Sequence, residues 1–442
     1  MPSEEAVQPG DGRPSRPRKL AMWVKVCLVV FVCCAVALVI VVQRQSRVAA
    51  ILKGIEDRGG YIERQPGFFT GLLSDILGSG NTSRDRRNGL PVSVRVIRPT
   101  VDELEMLGKF PSIKHLNLIG PASFESLIKT VRELPKLQSL SLYNFNLSDS
   151  DLERVITALP DPKLLTHVGF QNTVLTDKGL ATLAKCPDLV TLYIDGSKID
   201  GSGFSQLAEL DLRLLTVRHS KLLDENLPLI VDQWGSSLNW IHLDHNPITD
   251  AGLESLEKIP GLTALGVGGT EVTPGAVKEL LAGRKMQILT LEDLPWRMTD
   301  LEDLSLGTSL VHLDLSGWNI NDEDLKSLPD LTGLSVLGLS RTGITDDGLR
   351  ELQRYPALMT VTLDGTKISI KGLEQLVKIS GLTSVSLGEP GVKFEDLLQM
   401  KDLGNLSFIK LYGTELTDEQ LSELRGKHPR CTFVVGDRKF GL

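Results

Sequence analysis

A chain that repeats at a fixed interval is not free to fold as an arbitrary globule, because the interval decides the architecture. Leu238, Leu262, Met286, Leu310, Leu334, Leu358, Leu382 and Leu406 lie 24 positions apart, seven equal intervals in succession. Each opens the pattern Leu-x-x-(Leu/Ile/Val)-x-(Leu/Val). Going backward, the pattern continues at Leu212, Leu189, Leu165, Leu137 and Ile113, with intervals of 26, 23, 24, 28 and 24, for 13 repeats in all. Strand-like stretches at Val92 to Ile97 and at Cys431 to Val435 read as terminal units of the same stack. The 442 residues would by length alone suggest about three domains, but the repeat replaces that expectation with one array.

The first half of each unit alternates as a short parallel strand should. Three residues past the last strand Leu stands Thr173, Ser197, Ser220, Asn246, Thr270, Thr342, Thr366 or Thr414, short polar side chains suited to bonding a turning backbone. A helix cap follows. Thr176, Thr249, Thr345 and Thr417 each precede an Asp, which is expected to place a carboxylate at the helix N-terminus. Thr273-Pro274 puts Pro first in a helix, and Thr417 with Gln420 fits a capping box. Leu253/Leu256, Leu349/Leu352 and Leu421/Leu424 are helical i, i+3 pairs. Each unit therefore reads strand, turn, helix, turn, and buries its leucines only by stacking. Strands about 4.8 Å apart opposite helices about 10 Å wide bend such an array, strands inward. Leu294-Pro295-Trp296 breaks the pattern and predicts an irregular loop; Phe145 and Pro390 also replace the Ser/Thr position.

Two copies read Leu238-Asn-Trp-Ile-His-Leu-Asp-His-Asn-Pro-Ile-Thr-Asp-Ala-Gly-Leu253 and Leu334-Ser-Val-Leu-Gly-Leu-Ser-Arg-Thr-Gly-Ile-Thr-Asp-Asp-Gly-Leu349. Over residues 89–442 the chain resembles the leucine-rich-repeat family, nearest its Ile-Thr-Asp-x-Gly-Leu, cysteine-containing-like subclass. The resemblance implies an α/β solenoid, a horseshoe with concave parallel strands and convex helices. It implies little about function, since the family is defined by its core. Cys186 sits where that subclass often buries a cysteine.

Ahead of the repeats, Val26 to Val42 is an apolar run of 17 residues, extended by Ala21 to Val24 across Lys25. That length approaches the roughly 30 Å hydrocarbon core and predicts one transmembrane helix over 21–42, an uncleaved anchor. A signal peptide would have a shorter run. Residues 11–25 carry five cations and 43–57 carry three, placing the N-terminus in the cytoplasm and the repeats outside it. Residues 1–20 then form a disordered cytoplasmic tail, and 43–88 a juxtamembrane segment and cap with a helix stopped by Gly59-Gly60 and a strand from Tyr61. Residues 1–58 carry a net +4, leaving −12 for the rest of a chain whose net charge is −8. An acidic array offers no broad basic surface for nucleic acid. Five cysteines, three of them in the apolar run, make neither a disulfide framework nor a zinc motif.

Function must then be sought on the strand positions that face inward. His167, Gln171, Tyr193, Asp195, Arg218, His219, Trp240, His242, Asp244 and His245 stand there, followed by a bare stretch at Ala264, Gly266, Gly268 and Gly269. Glu292, Asp293, His312 and Asp314 come next, then small residues, then Phe408, Lys410 and Tyr412. Trp, Tyr and Arg dominate binding hot spots. The expectation is a protein-binding patch of Tyr193, Asp195, Arg218, His219, Trp240, His242, Asp244 and His245 on the concave face. No catalytic residue, metal ligand or cofactor is expected: there is no nucleophile elbow, phosphate-binding loop or His-Glu-x-x-His. A zinc site from His219, His242, Asp244 and His245 would lie on a flat, solvated surface. The alternative readings are an intracellular F-box-like substrate-recognition protein and a metal-dependent enzyme using the His-rich face. No F-box stands ahead of the repeats, and the apolar run argues against an intracellular role.

Overall fold

A computed structural model of the chain describes residues 48–65, 90–304, 306–388, 392–413 and 416–436. The expected tail, the membrane helix over 21–42, most of the cap, Thr414 and Pro390 lie outside the described residues. Among the described residues no helix is long and apolar enough to cross a membrane. The chain divides into two compact units, Met1–Ile62 and Glu63–Leu442. In the first, residues 48–57 form a helix. Gly59, at φ +80°, ends it, and the amides of Gly59 and Gly60 donate to the carbonyls of Glu56 and Ile55.

The second unit is the repeat array. Among the described residues fifteen strands, from Leu90–Ile97 to Thr432–Gly436, join one sheet in chain order. From Leu90–Ile97 onward each strand pairs with the next in parallel. The register repeats the sequence period, with Leu289 opposite Leu313, Leu313 opposite Leu337 and Leu337 opposite Val361. Every one of these side chains is fully buried. Burying each contributes roughly 1.5–3 kcal/mol, and only neighbouring repeats complete the burial.

The connectors follow the expected order, but several are 3-10 turns rather than α-helices, including Ala181–Lys185, Ser202–Leu207 and Gly348–Arg354. Leu349 and Leu352 therefore meet on a 3-10 turn, where i and i+3 eclipse. The Thr417–Gln420 capping box and the Thr273-Pro274 start form as expected.

Thr249 and Thr417 cap their helices with their side chains, and Asp177 and Asp250 stand in first turns as expected, but Thr176 needs a correction. Thr176 caps nothing with its side chain. Its amide and hydroxyl instead donate to Asp149 of the preceding repeat, at 2.8 and 2.6 Å. The same two bonds join Thr249 to Asp224, Thr273 to Asp250, Thr345 to Asp322 and Ser369 to Asp346. The carboxylate thus staples one repeat to the next. This also explains the glycine of the motif. A Cβ at Gly179, Gly252, Gly348 or Gly372 would collide with the arriving Asp carboxylate.

Most of the described polar turn residues behave as their chemistry suggests, although the buried Thr173 hydroxyl finds no partner among the described residues. Thr270, Thr342 and Thr366 donate to carbonyls three residues back, and Asn246 bonds the carbonyls of Val217 and Leu243 while accepting from the amides of Ser220 and Leu222. Trp318 fills the same position, and its indole N–H donates to Leu291. The loop expected to be irregular at Trp296 is packed into the core, with the Trp296 and Trp318 rings 5.9 Å apart and edge to face.

Candidate functional site

Two columns of side chains cross the sheet at the C-terminal ends of its strands. The first holds the residue after the last strand Leu: Gln171, Asp195, Arg218, Asp244, Gly268, Glu292, Ser316 and Ser340. The second holds the next residue, and there the backbone has positive φ in repeat after repeat. Its occupants include Asn172, Gly196, His219, His245, Gly269, Asp293, Gly317 and Arg341. This left-handed conformation suits glycine, so His219, His245, Asp293 and Arg341 hold it at a cost. Where glycine occupies the column, the side chain of the preceding repeat lies over it: a Cβ at Gly269 would strike the His245 ring, and one at Gly317 the Asp293 carboxylate.

The first column contains the central feature. Arg218 ion-pairs with Glu292, 74 residues and three repeats away. The pair spans the supposedly bare repeat. Gly266 and Gly268 are the reason it can, because a Cβ at Gly266 would meet Asp244, Thr290 and His242, and one at Gly268 would meet Glu292. The bare stretch is thus the gap that Arg218 bridges. Beneath it lies Asp244, which is 0% exposed. Asp244 Oδ1 accepts from the Gly268 amide and the Thr290 hydroxyl, both at 2.9 Å. Its Oδ2 is 3.2 Å from Arg218 Nε, an ion-pair distance off the line of a hydrogen bond. Asp244 therefore cannot touch a partner, contrary to the expectation, and serves to hold Arg218.

Asp195 is likewise buried rather than presented. It accepts from Tyr193 and Gln171 at 3.1 Å and lies 2.8 Å from His219 Nδ1. Burial alone would raise its pKa, but His219 and Arg218 bring it below the usual value. The His219 and His245 rings stack, 4.2 Å between centroids at 16°. His245 continues to Glu292 at 3.6 Å and Asp293 at 3.9 Å, and Asp293 to Arg341 at 2.9 Å. Burial opposes ionisation of Glu292, but His245 and Arg218 outweigh it and bring the carboxyl down to about 2. His242 is desolvated, which pushes its imidazole down to about 4 despite Asp244 at 3.7 Å, so it is neutral at pH 7. The Trp240 ring lies 5.2 Å from it.

All eight expected residues thus fall in or beside one network, with different roles. Tyr193, Arg218, His219, Trp240 and His245 keep exposed surface, while Asp195 and Asp244 lie beneath as supports. Glu292, Asp293 and Arg341 complete the network. Arg341 was missed, although its place two residues past Leu339, the same as that of His219 and His245, would have revealed it.

Among the described residues His245, Glu292 and Asp293 bring three donor atoms within 4.8 Å of one another. This is not the zinc set considered from the sequence. Both carboxylates already carry a guanidinium, so a divalent cation would compete with Arg218 and Arg341 for them.

Residues 236–256, the repeat that contributes Trp240, His242 and Asp244, match the family described as Leucine Rich repeat. Among solved structures, an internalin from Listeria monocytogenes is 18% identical, with 78% of this chain and 94% of that chain covered and a TM-score of 0.38. A structure of the yeast Rad7 and Elc1 complex is 16% identical, with 96% and 98% covered and a TM-score of 0.42. No curated protein matches the chain.

Proposed function

We propose that this chain is a non-catalytic leucine-rich-repeat scaffold that binds a protein partner on the open face of its sheet, held at a membrane by residues 21–42. The observation that carries the reading is the ion-paired network across the open face. It holds Arg218, His219 and His245 in one arrangement before any partner arrives, so little of their side-chain entropy remains to be lost on binding. Part-buried Arg and Trp over buried supports are the composition of a binding hot spot. The apolar run supports the anchor, and the flanking cations support a cytoplasmic N-terminus with the repeats outside.

The test is affinity capture with the full chain in nonionic detergent, beside a His219→Ala/Trp240→Ala variant of unchanged melting. A partner retained by the first and lost by the second is expected. A partner retained equally by both would remove the site from this patch. Arg218→Ala is a poor probe, because it strands the buried Asp244 and confounds binding with stability.

A further inference from the structure

The array as a whole is acidic, but its first repeats are not. Residues 108–137 hold five cations, Lys109, Lys114, Lys129, Arg132 and Lys136, against two acids, Glu125 and Glu133. Helix Val101–Leu107 ends just ahead of Lys109, and helix Phe124–Arg132 carries Lys129 and Arg132 in its last turn, where the helix dipole favours cations. Glu125 is already occupied by Arg154. Lys109, Lys129, Arg132 and Lys136 are exposed, and among the described residues no ion pair reaches any of them. Three of them, Lys109, Lys129 and Arg132, line one groove of about 310 Å³, together with Glu105 and Glu133. Next to Lys109, Phe110 is half-buried and Pro111 exposed.

We infer that this face, from Lys109 to Lys136, docks on the anionic phospholipid of the membrane that holds the chain. The inference rests on the reading of residues 21–42 as an anchor. Charge selects the occupant, since lipid phosphates are anions and the cations here outnumber the acids without being paired to them. Position in the chain supports it, because these are the first repeats entered, with residues 43–89 between them and the apolar run. A tether makes the contact intramolecular, so fewer cations suffice than a free protein would need. The Phe110 ring beside Lys109 suits the boundary between headgroups and acyl chains. Exposed cations also stand at the far end of the array, at Arg425 and Arg430. They lie farthest along the chain from the anchor and provide a matched comparison.

The test places a benzophenone amino acid at Phe110 and reconstitutes the full chain in vesicles of phosphatidylcholine, alone or with about one-third phosphatidylglycerol. Irradiation should attach lipid to position 110 in the anionic vesicles. The yield should fall about tenfold in the neutral vesicles and with Lys129→Glu/Arg132→Glu, and less steeply with Lys129→Gln/Arg132→Gln. Arg425→Glu/Arg430→Glu should leave it unchanged. Equal yields in the two lipids, no adduct, or equal losses from the near and far pairs would overturn the inference. Flotation of the same samples reads the anchor separately. A chain that floats with both vesicles but gives no adduct keeps the anchor and overturns the docking. A chain that floats with the anionic vesicles alone, and no longer does so as Lys129→Glu/Arg132→Glu, overturns the anchor and supports the docking; one that floats with neither overturns both.

Discussion

At the scale of single residues, Arg218 and His242 carry opposite consequences. Arg218 is 18% exposed and holds two carboxylates, one of them fully buried. Arg218→Met should cost about 3–5 kcal/mol in urea unfolding, because it leaves Asp244 charged and unpaired. Adding Asp244→Asn should recover part of that loss. His242 is folded as the neutral imidazole, with a pKa near 4 against 6.5 when unfolded. The unfolded chain therefore binds the extra proton between those values, and stability falls as pH drops from 6.5 to 4, by up to about 3 kcal/mol. Burial lowers His167 and His312 in the same direction, so the measurement is a difference: His242→Gln should flatten part of the decline between pH 6.5 and 4.5. Below pH 4.5 Glu292 adds its own loss as it protonates toward its folded value of about 2. A His242→Gln profile parallel to wild type would contradict the burial argument.

At the scale of one repeat, the Asp staple and the glycine of the next motif are one device. Gly252→Ala should destabilise by about 1–3 kcal/mol, since its Cβ would strike the Asp224 carboxylate that bonds Thr249. With Asp224 already changed to Ala, the same substitution should cost markedly less, and an additive double-mutant cycle would reject the staple. Gly426→Ala, with open space around its site in the last helix, should be neutral or stabilising by up to about 1 kcal/mol. These pairs mark what was legible in the sequence. The leucine register was, because core burial writes itself at a fixed period. Thr270, Thr342 and Thr366 were, because their bonds reach only three residues back. Thr176 was misread because capping rules look along one helix, whereas its partner Asp149 lies 27 residues back. The Arg218–Glu292 pair escaped for a related reason: glycines at 266 and 268 read as emptiness until the neighbouring side chains are seen to fill it.

At the scale of the molecule, the array behaves as a line of neighbours in which each repeat depends on the next. The open face gains order from that dependence, since its longest ion pair joins repeats that never touch as strands. The anchor is a separate proposition with its own check. The full chain should stay with membranes through alkaline extraction, and a version lacking residues 21–42 should be released. External protease should digest the repeats of intact cells; protection of the repeats would reverse the proposed orientation. The central claim is that the open face meets the partner, and site-specific photo-crosslinking in the producing cells tests it most directly. A benzophenone amino acid replaces His219 in one version of the full chain and Glu254, on the helix Asp250–Ser255, in another. A discrete adduct from position 219 and none from 254 is the predicted result; an adduct from 254 alone would contradict the account.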